Sequence, residues 1–74
     1  MTPSLINFLV TENGGQGVVC EALECSQPEL SQVINGHRVN EPLREKLAAF
    51  IGVPKERLFD AEFEAVVAYK RSVA

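Results

Sequence analysis

The chain has 74 residues, a net charge of −3, 46 % apolar residues, two cysteines and one histidine. A chain of this length makes one small domain that buries only about 60 % of its unfolded surface, so association with a second copy is an expected source of further stability. The acidic balance argues against non-specific attraction to nucleic acid, but a local DNA-binding face remains open because affinity depends on where the charge sits.

Cys20 and Cys25 are too few for a disulfide framework and are expected to stay reduced. With His37 they fall short of the about four ligands a metal site needs, so no metal and no cofactor are expected. No basic-then-apolar leader is visible, and no apolar run approaches the ~20 residues of a membrane span. A cytoplasmic location without a membrane partner is therefore the expectation. Glu56, Asp60, Glu62 and Glu64 concentrate acid in the last third of the chain, whereas Arg38, Arg44 and Lys46 lie between Asn35 and Lys46 with only two acids.

Gly and Pro recur at short intervals, and no run alternates as a half-buried strand does, so the fold class is all-α: about five short helices plus a C-terminal one. In the first segment, "PSLINFLVTEN", Pro3 lies near the start, Leu5, Phe8 and Leu9 repeat at helical spacing, and Gly14-Gly15 form the stop. In "QGVVCEAL", Val19, Cys20 and Leu23 give a two-turn helix one apolar side. The next helix opens at Ser26. Glu29 three residues on completes a capping-box pattern, and Pro28 sits in the first turn where its missing N–H costs nothing. Leu30, Val33 and Ile34 form its buried stripe, and Asn35-Gly36 end it.

"NEPLREKLAAFIG" begins with Asn40 as cap and ends at Gly52, with Leu43, Leu47, Phe50 and Ile51 on one face. "VPKERLF" reads as a short helical turn whose Val53, Leu58 and Phe59 close the core. The tail can start at Asp60. Its first-turn acids and last-turn Lys70-Arg71 complement the helix dipole. Phe63, Val66, Val67 and Tyr69 show more apolar surface than a lone helix should, so residues 60–74 are expected to pack on the body formed by residues 1–59 or on a second subunit.

Two short helices joined by a few residues, "QGVVCEAL-ECS-QPELSQVING", have the length of a helix-turn-helix. Gln16 opens the first, a small residue (Cys20) follows four positions on, and Leu23 and Cys25 flank the turn. Ser26-Gln27, the apolar pair Leu30 and Val33, and Ile34-Asn35-Gly36 complete the pattern. This stretch resembles the helix-turn-helix of the phage Cro/repressor (XRE-type) family. "INGHR", the capped helix after it and "IGVPKERLF" are similar to the usual ending of such domains, so the resemblance spans residues 4 to 59. It implies a lambda-repressor-like fold and a small Cro-like regulator. Glu24 departs from the pattern, because the family usually has Gly there. Holding a non-Gly residue in the left-handed region costs ~1–2 kcal/mol.

At about 100° per residue, Pro28, Ser31, Gln32 and Asn35 lie opposite the Leu30–Val33–Ile34 stripe, with Gln27 at the edge. The resemblance places this second helix in the major groove of duplex DNA. Gln27, Ser31 and Gln32 are then candidates for base edges, and Pro28 for a thymine methyl. Gln16 would meet a phosphate at a helix N-terminus and brace Gln27. Asn35, His37 and Arg38 are further candidates for the DNA backbone, with Arg44 and Lys46 weaker ones. The implied partners are double-stranded DNA and a second copy of the chain, on an operator with half-sites about one helical turn apart. A polar helix face is most often solvated surface, and only the register of the whole motif favours DNA. Cys20 and Cys25 read as packing residues. The competing function is a protein-interaction module or antitoxin-like adaptor on the same fold, contacting its partner through the acidic tail. No nucleophile with a base, paired carboxylates or phosphate loop appears, so neither an enzyme nor a small-molecule substrate is expected.

Overall fold

Four helix starts are closed by a side-chain oxygen that accepts an otherwise orphaned backbone N–H. Thr2 takes that of Leu5 and Ser26 that of Glu29, both at 3.2 Å. Asn40 takes that of Leu43 at 3.2 Å and Asp60 that of Phe63 at 3.0 Å. Each such cap is worth ~1 kcal/mol. The computed structural model describes residues 1–73. Among them it forms α1 (Pro3–Glu12), α2 (Gln16–Leu23), α3 (Gln27–Ile34), α4 (Glu41–Ile51), α5 (Lys55–Leu58) and α6 (Ala61–Val73), and no strand. None of these helices is long and apolar enough to cross a membrane.

Every helix contributes to one core. Ile6 and Val10 of α1, Val19 of α2, Leu30, Val33 and Ile34 of α3, Leu47 of α4, Leu58 of α5 and Phe63 of α6 are fully buried. The expected stripes of α2 and α3 are the observed ones. In α1 the observed stripe differs. Pro3, Ile6 and Val10 face inward, while Leu5 and Phe8 are 43 % and 56 % exposed. This helix has apolar residues on two sides, and the side carrying Pro3, Ile6, Leu9 and Val10 is the larger. In α4, Ala48 is buried and Phe50 sits at the rim.

α6 packs into the same core. Phe63 is fully buried and Val67 nearly so, whereas Tyr69 and Val73 face outward. Residue 74 of the expected C-terminal segment lies outside the described residues. Gly36 explains how α6 closes on α3. It is buried with φ 77°, and a Cβ there would drive into the methyls of Val67. Only glycine offers both that conformation and that clearance.

Candidate nucleic-acid interface

The connection from α2 to α3 is the three residues Glu24, Cys25 and Ser26. Glu24 adopts φ 59° and ψ 45°, and it is the one non-glycine residue at positive φ among those described. The backbone around it closes by a paired set of hydrogen bonds. The N–H of Cys25 donates to the carbonyl of Cys20 at 3.0 Å, and that of Glu24 to Glu21 at 3.4 Å. This is the Schellman arrangement, in which the residue after the left-handed position packs on the one five before it. Here Cys20 and Cys25 fill those two places, and both are free thiols. Burial pushes the Cys25 thiol up to about 11, reinforced by the neighbouring Cys20 thiol.

The Ser26 cap starts α3 and Pro28 occupies its first turn. Gln27, Pro28 and Gln32 are exposed, and Ser31 and Asn35 are half-buried. The expected strip is thus contiguous along the outer side of α3. The Gln27 amide lies over Gly17 of α2, 3.6 Å from where a Cβ would stand. A Cβ at position 17 would meet it at ordinary contact distance. Gln16 does not brace Gln27. Its amide donates instead to Asn7 of α1, at 3.4 Å. Asn35 folds back on its own helix, donating to the Ser31 carbonyl at 2.9 Å and more weakly to its hydroxyl.

The capping box is made by half. Ser26 caps Glu29, but the Glu29 carboxylate turns to Arg38 at 3.4 Å. Arg38 therefore keeps its exposed position with part of its charge neutralised. His37 is exposed in the loop after α3. Arg44, expected at a phosphate, is placed elsewhere. Only 8 % exposed, it lies against Phe59 and Phe63 and pairs with Glu41 at 3.3 Å. The sequence placed it on α4 but gave no sign that two distant aromatic rings would enclose it. Lys46 is exposed on the same helix.

Two cations that the sequence reading gave no contact role lie beside this surface. Lys70 and Arg71 reach the loop after α3, and Arg71 Nη2 donates to the Gly36 carbonyl at 2.7 Å. Their position in the last turn of α6 was legible. The direction in which α6 runs was not.

Searches against family models, curated proteins and solved structures find no match. Fold and surface together define a small all-α protein in which a three-residue turn, opened by the left-handed Glu24, joins two short helices. The second of these helices presents an uncharged polar strip.

Proposed function

We propose that the protein is a sequence-specific DNA-binding transcriptional regulator of the Cro/repressor type, cytoplasmic, acting as a homodimer on a two-fold symmetric operator. The observation that carries this reading is the strip of Gln27, Pro28, Ser31 and Gln32 on the N-terminal part of α3. Neither glutamine amide is spent on a hydrogen bond among the described residues. A free glutamine amide pairs bidentately with adenine, and serine contacts several bases. Arg38 and His37 follow the helix end, where backbone contacts fall in such complexes. The net charge of −3 implies modest non-specific affinity and a shallow salt dependence.

The pairing of Arg38 with Glu29 favours a second reading, a protein-interaction module, because it withdraws cationic charge from the would-be DNA face. Selection of bound duplexes from a randomised library separates the two. An inverted repeat with half-sites about one helical turn apart is the expected result. No enrichment by folded protein would reject DNA in favour of a protein partner.

A further inference from the structure

α6 runs past the end of α3 and finishes beside it. Between them lies a cleft of about 270 Å³ lined by Asn35, His37, Val67, Lys70 and Arg71. Its wall is mostly apolar, Val67 included, and Lys70 and Arg71 are the two cationic side chains that line it. No carboxylate lines it, and among the described residues neither Lys70 nor Arg71 pairs with an acidic side chain. Arg38, Arg44 and Lys55, by contrast, each face a carboxylate.

The carbonyls at the end of α3 would by themselves repel an anion. Arg71 covers that of Gly36 with one N–H and brings a positive charge to the helix end. The remaining donors of the guanidinium fork stay open. A guanidinium already held by one hydrogen bond loses little further freedom on gripping a planar or tetrahedral oxyanion. Asn35 belongs both to this rim and to the outer strip of α3, so the cleft continues the strip.

We propose that this cleft is a phosphate seat, in which Lys70 and Arg71 of α6 hold a phosphodiester of the same duplex whose bases α3 reads. The proposal rests on the DNA-binding reading of α3. It gives α6 a part in binding as well as in packing.

The test uses the full chain and labelled duplexes, one carrying the selected site and one scrambled, over a salt series. Lys70→Gln and Arg71→Gln are each expected to flatten the slope of log K against log salt by about 0.9, the loss of one phosphate contact. Both duplexes should weaken by the same factor, roughly threefold to tenfold at 0.1 M salt. Arg71→Gln also removes a contact that holds α6, so Lys70→Gln, at an exposed side chain with no hydrogen bond or ion pair among the described residues, decides the matter. An unchanged slope in Lys70→Gln, with duplex binding intact, overturns the phosphate seat and leaves the reading of α3 standing. A loss confined to the selected site would overturn it too, because it would make Lys70 a base reader. Failure of the folded wild-type chain to bind any duplex would overturn both.

Discussion

The guanidinium of Arg44 lies 4.5 Å above the centroid of the Phe59 ring and 5.6 Å from that of Phe63, and the two rings meet edge to face. Glu41 at 3.3 Å and Glu64 at 3.9 Å supply counter-charge from α4 and α6. Its Nε is buried without a hydrogen-bond partner, so the residue is held by stacking and charge at some cost. Arg44 thus acts as the wedge between α4 and α6. Arg44→Ala should lower stability by about 2–3 kcal/mol, through lost cation–π contact and lost packing of the aliphatic stem. Arg44→Met should lose less, since an apolar group of similar length often replaces a buried charge at little cost. Urea denaturation checks both. A normal urea midpoint with a flattened salt slope for duplex binding would instead return Arg44 to the phosphate contacts.

The strain at Glu24 can be measured directly. Its backbone occupies the left-handed region that glycine enters freely and other residues enter at a cost of ~1–2 kcal/mol. Glu24→Gly should therefore stabilise the protein by about 1 kcal/mol after glycine's own entropy is counted, raising Tm by roughly 4–8 °C. A lower Tm would mean that the Glu24 side chain itself holds the turn.

Local features were the legible ones. The Ser26, Asn40 and Asp60 caps act within a single turn of chain, so residue identity announces them. The inward face of α3 was equally plain, because Leu30, Val33 and Ile34 are its only large apolar side chains besides Pro28. α1 has two apolar sides, and its own sequence does not say which one the other helices cover. Arg44, Gln16 and Arg71 mark a different limit. Each takes a partner from another part of the fold: Phe59 after α5 and Phe63 on α6, Asn7 on α1, and Gly36 after α3. Those pairings follow from the relative placement of helices, to which spacing along one helix is blind.

On the DNA-binding reading, Gln27 and Arg38 should fail in different ways. Gln27→Ala should lose about 1–3 kcal/mol on the selected site and relax preference at one base pair. Equal losses on selected and scrambled duplexes would deny it a base contact. Arg38→Ala should weaken all duplexes alike and flatten the salt slope.

The Arg38–Glu29 pair at 3.4 Å adds a sharper expectation. An exposed pair of this kind is worth at most ~1 kcal/mol to stability, so removing the acid should leave the fold intact. Glu29→Gln should free Arg38 and tighten binding to every duplex severalfold, and the gain should vanish in the Glu29→Gln/Arg38→Ala double variant. Persistence of the gain in the double variant would show that Glu29 opposes DNA through its own charge and not through Arg38.

Cys25 ties the turn to a measurable pH dependence. Burial and the neighbouring Cys20 push its thiol up to about 11, so the thiol form persists through neutral and mildly alkaline pH. The thiolate is the nucleophile, and only a small fraction exists at pH 8. Alkylation by iodoacetamide in the native protein should therefore be slow at pH 8 and rise about tenfold per pH unit up to about pH 10, without levelling. In urea, where Cys20 no longer lies beside it, the same thiol should titrate near the ordinary cysteine value of about 8.5 and react much faster at pH 8. A native rate that levels off between pH 8 and 9 would show that Cys25 is solvated and that the contact with Cys20 across the left-handed turn is not formed. Because that contact closes the α2–α3 connection, the same result would loosen the angle at which α3 presents Gln27 and Gln32.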